Sequence, residues 1–479
     1  MFAGMGACRK FHRSDRRTIQ MLNRRELLTA ALAMSTGISE GRAGMLPKER
    51  IRAILQERID VAHQCVGMVA GQIDGNEHPL VTYGRSDTAP ERPLDGDTVF
   101  EIGSITKVFT ALLLTDMVTR GEVALDDPVA RYLPSEGRIP GRNGKQITLL
   151  DLATYTSGLP RNPDHPAPKD GANPLADYTV EQLYAFLSGH ALRFDPGTHY
   201  EYSNLGFGLL GHALARRADK SYEELVLSRI CAPLGMESTR ITLSASMRER
   251  MTRGHNSVLE PTANWDMPTL AGSGAIRSTA NDLFAFLRAV SPTTRDAPLR
   301  PAIDMLLATR RPTSNPRLSV ALGWFVSTEH DDEVVWKTGG TGGYYSFVGF
   351  STRSNQGAVA LSNAGFWNPF DDIGMHLVNT AFPLVRHPPQ ITVDAATLAA
   401  YSGTYVMSPE FALTIRAKAE RLFVRGTGQE EFELFADARD RFFMRAVDAQ
   451  AIFLRDKDGQ VQELIWHQNG RYRYCRRVL

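Results

Sequence analysis

Ser104-Ile105-Thr106-Lys107 sets a hydroxyl and an amine three residues apart, and on a helix those two side chains share a face. Serine at its ordinary pKa is a poor nucleophile and needs an adjacent base. Lysine can be that base only if it is partly neutral near pH 7, a condition that desolvation favours. The run from Ser104 to Arg120 supplies it, being helical in spacing and rich in apolar residues such as Val108, Phe109, Leu112, Leu113 and Met117. Gly121 follows where a helix would end. Alone the motif is weak, because a chain of this size holds on the order of one S-x-x-K by chance.

Two further motifs give it weight. Tyr202-Ser203-Asn204 stands between the turn Asp195-Pro196-Gly197 and a helical run. Lys337-Thr338-Gly339 ends a strand and opens the glycine-rich stretch through Gly343. A tyrosinate at Tyr202 is a candidate base if cations lower its pKa, and Lys107 and Lys337 are candidates for those cations. Lys337 and Thr338 offer a charge and a hydroxyl to a substrate carboxylate. Gly339 and Gly340 let a strand backbone approach the substrate, and an N–H beside them can complete an oxyanion hole. The twelve histidines contain no H-E-x-x-H spacing, and no serine sits in G-x-S-x-G. Neither a metal, a cofactor nor a Ser-His-Asp triad is indicated.

Taken together these motifs resemble the penicillin-recognising serine hydrolases, and within them the class C β-lactamases. The resemblance runs over 46–385 and includes Phe100 to Ser104, Leu125-Asp126-Asp127-Pro128-Val129, Ile147 to Gly158 and Pro233-Leu234-Gly235-Met236. It implies acylation of Ser104, with Lys107 and Tyr202 as the base pair. Tyr202 would also protonate the leaving nitrogen and activate the deacylating water. Asn204 would orient Lys107 and the substrate amide, and Lys337 and Thr338 would hold the substrate carboxylate. The backbone N–H groups of Ser104 and Gly340 would form the oxyanion hole. Asn162 would contact the acyl amide, and Asn368 would lie near the carboxylate site. The substrate so implied is a small molecule or peptide bearing a carboxylate. β-Lactam hydrolysis is the leading expectation. A D-amino-acid peptidase or a carboxylesterase on the same machinery is the alternative, because relatives of those kinds carry a similar appended tail. A penicillin-binding sensor that acylates and stalls is a further reading, opposed by the presence of both Tyr202 and Lys337.

Those side chains must be positioned by elements scattered along the chain. Lys48 to Ala62 has helical spacing; Val66–Ile73 and Leu80–Tyr83 read as strands joined through Asp74-Gly75. Strand patterns return with Val334–Trp336, Phe347–Phe350 and Ala358–Leu361, after a mostly helical and loop-rich sequence over 122–330 and before a closing helix at Asp371–Phe382. The expected fold is therefore α+β: an antiparallel sheet flanked by helices, assembled from both ends of the region, plus an all-helical subdomain. Pro383, Pro388 and Pro389 mark a linker over 383–391. Beyond it, Phe411-Leu413-Ile415, Leu422-Val424, Phe432-Leu434, Phe442-Met444, Ile452-Leu454 and Leu464-Trp466 alternate in short runs. They indicate a small all-β barrel, lipocalin-like, over 392–479. It is expected to pack over the active-site cleft or to mediate self-association.

The 479 residues are 43% hydrophobic and 22% charged with a formal charge of +1. Such a balance gives no electrostatic reason to expect nucleic acid or an anionic membrane as partner. Arg24-Arg25, the apolar stretch Leu27–Ile38 and Gly41-Arg42-Ala43 have the layout of a cleaved export signal, with a twin-arginine character. The apolar part is too short to span a bilayer, which needs ~20 residues. Residues 1–43 thus read as a leader whose true start is Met21, giving a periplasmic or secreted product that begins at Gly44. After the leader, Cys65, Cys231 and Cys475 remain, without the spacing of a disulfide framework or thiolate metal site.

Overall fold

A computed structural model of the chain describes residues 44–479 apart from 136, 165–167, 366–368, 386–387, 389, 428–430, 446–448, 469–470 and 479. The expected export signal and Asn368 lie outside the described residues.

Both ends of the catalytic region build one eight-stranded sheet. Gly67–Ile73 pairs on one side with Leu80–Gly84 and on the other with Gly357–Ser362, so the N-terminal hairpin is zipped to the end of the region. The sheet continues through Tyr345–Ser351, Asp332–Gly340, Trp324–Glu329, Leu318–Ala321 and Arg310–Pro312, all antiparallel. Strands Gly67–Ile73, Tyr345–Ser351 and Gly357–Ser362 are buried at every residue. Helices cover both faces, which explains why these strands lack the polar-out alternation of a one-sided sheet. Val69, Val348, Val359 and Leu361 face the main helical core, where helix Thr106–Thr119 is buried from Thr106 to Met117. Met68, Ala70, Phe347, Ala358 and Ala360 face the opposite way, against helices Lys48–Gln56 and Asp371–Val378.

Between Leu80–Gly84 and Arg310–Pro312 the chain forms helices joined by long loops. The expectation of helices and loops up to 330 is corrected by strands Arg310–Pro312, Leu318–Ala321 and Trp324–Glu329, short strands toward one edge of the sheet with few buried residues to mark them. Ser203 caps helix Asn204–Ala218 by accepting from Gly206 N at 2.8 Å, and this helix packs on the short helix Ala271–Gly274 and on Thr106–Thr119. No helix among the described residues is long and apolar enough to cross a membrane.

The tail forms a closed eight-stranded barrel. Consecutive strands pair antiparallel from Gly403–Ser408 to Arg471–Val478, and the first pairs with the last. Leu413, Ile415, Val424, Leu434, Phe442, Leu464 and Trp466 fill its interior together with Leu398 and Tyr401 of helix Ala395–Tyr401. One expectation is corrected here. Ile452 and Leu454 are not the inward pair of strand Ala449–Arg455; Ala451 and Phe453 are. A slip of one residue exchanges the faces of a strand, and the Phe453 ring stacks on Tyr401 inside the barrel with centroids 4.3 Å apart.

Candidate active site

Strand Asp332–Gly340 and the Ile102–Ser104 turn approach until their backbones nearly touch. A Cβ at Gly339 would stand 1.9 Å from the Ile102 carbonyl oxygen and 2.8 Å from Ser104 N. Glycine is therefore required there by space alone. Gly103 is required by conformation as well, with φ at +47°, and its own Cβ would meet Gly340 N at 2.6 Å. Ser346 ties the two segments together, its hydroxyl lying 2.9 Å from the Ile102 oxygen and 3.1 Å from that of Gly339. Ser104 sits in the 3-10 turn Gly103–Ile105 that leads into helix Thr106–Thr119.

Lys107 is fully buried, with its Nζ 2.8 Å from Ser104 Oγ, 2.8 Å from Asn204 Oδ1 and 2.6 Å from the Ser273 carbonyl oxygen. Burial, aided by the positive charges of Lys337 and Arg161, holds its pKa well below the usual 10.5. Two of its neighbours, Asn204 Oδ1 and the Ser273 carbonyl, can only accept hydrogen bonds. A neutral amine donates its two protons to them and keeps its lone pair for Ser104. The Tyr202 hydroxyl lies 2.8 Å from Ser104 Oγ on another side. Two proton carriers thus converge on one hydroxyl.

Each residue of Tyr202-Ser203-Asn204 has its own task. Ser203 caps the helix and donates to the Pro160 carbonyl at 2.6 Å, fixing the loop that carries Arg161 and Asn162. That loop returns the bond, since the Arg161 carbonyl accepts from Asn204 N at 2.7 Å. Asn204 Nδ2 then donates to Asn162 Oδ1 at 2.8 Å. Asn162 is therefore joined to the same network as Lys107.

Two expectations about charge are modified. Tyr202 has basic groups within reach: Lys337 Nζ, Arg161 and Lys107 Nζ lie 4.8, 5.0 and 5.1 Å from its ring centroid. Burial nevertheless prevails and raises its pKa above 10, so Tyr202 rests as a phenol rather than a tyrosinate. Lys337 is buried too, and burial, with the Arg161 charge, holds its pKa well below 10.5. Its Nζ donates to the Tyr155 hydroxyl at 2.9 Å and lies 4.4 Å from the Phe325 ring centroid. Thr338 lines the open cavity beside it, together with Gly339 and Gly340.

The sequence did not single out Tyr155, Arg161 or Ser273. Tyr155 stacks on Tyr202 at 4.7 Å between centroids and carries a positive φ of 59°, uncommon for an aromatic residue. Its only signal was its position within the segment Ile147 to Gly158. Arg161 is exposed at the mouth, directly before Asn162. Ser273 acts through its backbone, which no side-chain pattern reveals. Among the described residues, no cluster of His, Cys, Asp and Glu could hold a metal ion.

The catalytic residues open onto a cavity of about 1370 Å³ that extends to the barrel, where Met407, Phe411, Leu413 and Trp466 line it. The tail therefore packs over the cleft.

Residues 49–379 match the family model described as Beta-lactamase, and residues 387–474 match one described as a domain of unknown function, DUF3471. The D-alanyl-D-alanine-carboxypeptidase/endopeptidase AmpH of Escherichia coli (strain K12) is 32% identical over 309 residues, covering 62% of this chain and 78% of that protein. A β-lactamase of Pseudomonas fluorescens is 26% identical over 347 residues, covering 66% and 92%. The crystal structure of a β-lactamase/D-alanine carboxypeptidase from Yersinia pestis superimposes with a TM-score of 0.59 at 26% identity, covering 71% of this chain and 99% of that one. The match to the family model contains the whole Ser104 network, and a nucleophile flanked by two proton carriers is what acyl transfer requires: the chain is a serine hydrolase of the β-lactamase family.

Proposed function

We propose that the chain hydrolyses acyl–D-amino-acid bonds through an acyl-Ser104 intermediate, and that β-lactams acylate the same serine through their ring amide. The observation that carries this reading is the placement of Lys107 Nζ and Tyr202 OH, each 2.8 Å from Ser104 Oγ. Neutral Lys107 takes the Ser104 proton as Oγ attacks the carbonyl carbon. The carbonyl oxygen, now an oxyanion, is met by the backbone N–H groups of Ser104 and Gly340. Tyr202 gives its proton to the leaving nitrogen as the C–N bond breaks, and Lys107 returns the Ser104 proton to Tyr202. Water then attacks the ester by the reverse route, which releases the acid and restores Ser104.

A peptide substrate is favoured by the size of the cavity. About 1370 Å³ exceeds the ~300–1,000 Å³ of an ordinary small-ligand pocket. The name of the Escherichia coli relative points the same way. The Arg24-Arg25 leader supports delivery of the hydrolase to the periplasm or medium by a cleaved signal.

The test is to express the full chain in a Gram-negative host, fractionate the cells and label each fraction with a fluorescent penicillin. A labelled protein starting near Gly44 is expected outside the cytoplasm, and Ser104→Ala should remove the label without loss of protein. The purified enzyme should cleave a D-alanyl-D-alanine peptide faster than it turns over a chromogenic cephalosporin. The opposite order would replace the peptidase reading with a β-lactamase one. Labelling that survives in Ser104→Ala would overturn the mechanism.

A further inference from the structure

The cavity over Ser104 has two chemically different halves. The catalytic half sets the polar groups of Ser104, Asn162, Asn204 and Thr338 among apolar residues such as Leu175, Trp265, Met267 and Phe325. The other half is the near end of the barrel, walled by Met407, Phe411, Leu413, Val424, Met444 and Trp466. Of these, Leu413, Val424, Met444 and Trp466 are buried within the barrel core and Met407 and Phe411 are half-buried at its rim. An apolar barrel wall continuous with a site whose polar groups gather at Ser104 is what an amphiphile would fill. The arginines lining the cavity are Arg161 and Arg473, with no carboxylate among the described lining residues. The cavity therefore suits an anion, and arginine keeps its charge at any working pH.

We propose that the barrel end of this cavity is a specificity site for an apolar chain carried by an anionic acyl donor, whose scissile bond lies at Ser104. This rests on the acyl-Ser104 reading for the reaction and adds the substrate class. The barrel then acts as more than a cover: it supplies binding energy away from the reacting bond. Such energy raises kcat/KM for long donors and does nothing for short ones. Each buried methylene is worth about a fourfold gain until the wall is fully covered.

The experiment has a kinetic arm and a binding arm. In the first, penicillins acylated with straight chains from acetyl to dodecanoyl are compared by the second-order rate of Ser104 acylation, followed by intact mass. The dodecanoyl compound should react at least 30-fold faster than the acetyl one. Met407→Glu and Phe411→Ser, both at the half-buried rim, should cut that ratio at least tenfold. In the second arm, 12-bromododecanoate is titrated into the Ser104→Ala protein, where no turnover is possible. Its bromine should quench tryptophan fluorescence saturably, and Trp466→Phe should remove most of the quenching.

A rate independent of chain length overturns the proposal, as does quenching that is unchanged in Trp466→Phe. If penicillins acylate Ser104 at a chain-independent rate, the hydrolase reading stands and the chain site falls. If no penicillin acylates Ser104 while Trp466 is still quenched, the hydrolase reading falls and the apolar site stands as a ligand site only.

Discussion

Lys107 pays for its role in stability. In the unfolded chain its amine titrates near 10.5, and in the fold burial holds the pKa well below that value. Between the two values the unfolded chain binds the extra proton, so stability rises with pH across this window and is reduced below it. Lys107→Met should therefore abolish acylation yet raise Tm at pH 7, by roughly 2–4 °C for each kcal/mol of relief. The gain should shrink as pH is raised toward 10.5. Thermal melts at several pH values check this. A lower Tm at pH 7 would mean that the bonds to Asn204 and Ser273 outweigh the desolvation cost. For the same reason, acylation by wild-type protein should slow as acid protonates Lys107. Tyr202 contributes no opposing need for ionisation, because it begins the cycle as a phenol.

At the scale of elements, the site depends on how closely strand Asp332–Gly340 lies against the Ile102–Ser104 turn. Gly339→Ala would put a methyl 1.9 Å from the Ile102 oxygen, a contact that only backbone displacement can relieve. The expected cost is about 1–3 kcal/mol of stability or more. Acylation should fall further than stability alone accounts for, since the displacement separates Ser104 N from Gly340 N. Ordinary acylation with an unchanged Tm would show that the strand can move without consequence. The elements differed in how well they could be read. The core helix after Ser104 was visible because its apolar run is long and ends at Gly121. The central sheet strands were visible as apolar blocks. Strand Ala449–Arg455 misled because Ile452 and Leu454 are the more hydrophobic pair, whereas the barrel interior accepts Ala451 and Phe453. Strands Gly403–Ser408 and Arg471–Val478 were missed because each places few apolar residues inside, Tyr405 and Cys475 among them. Within the site, side-chain motifs exposed Ser104, Lys107, Tyr202 and Asn204 as a group. Tyr155 and the Ser273 carbonyl stayed hidden because their parts are a ring stack and a backbone acceptor.

At the scale of the whole molecule, Arg445 ties the barrel to the catalytic body and to the linker. Arg445 of the barrel donates to the His63 carbonyl at 3.0 Å and to Gln390 Oε1 at 3.0 Å. Its guanidinium also lies 3.7 Å from the Phe435 ring centroid, and burial lowers its pKa to about 10. Arg445→Ala should loosen the barrel from the body. Proteolysis within 383–391 should then run at least tenfold faster, while far-ultraviolet circular dichroism stays unchanged. Cleavage at the wild-type rate would assign docking to other contacts. The linker is held as well: Val385 O accepts from Arg58 at 3.0 Å, Val385 N donates to Asp372 at 2.7 Å, and Ile391 N donates to the Ala436 carbonyl at 2.8 Å. Those anchors fix the slack in the tether. Even fully extended, the chain between Val385 and Ile391 reaches roughly 20 Å. A barrel released from His63 would thus face its seat at an effective concentration in the ~mM range. Opening and reclosing would be a first-order equilibrium, independent of how dilute the protein is and beyond the reach of most competing surfaces.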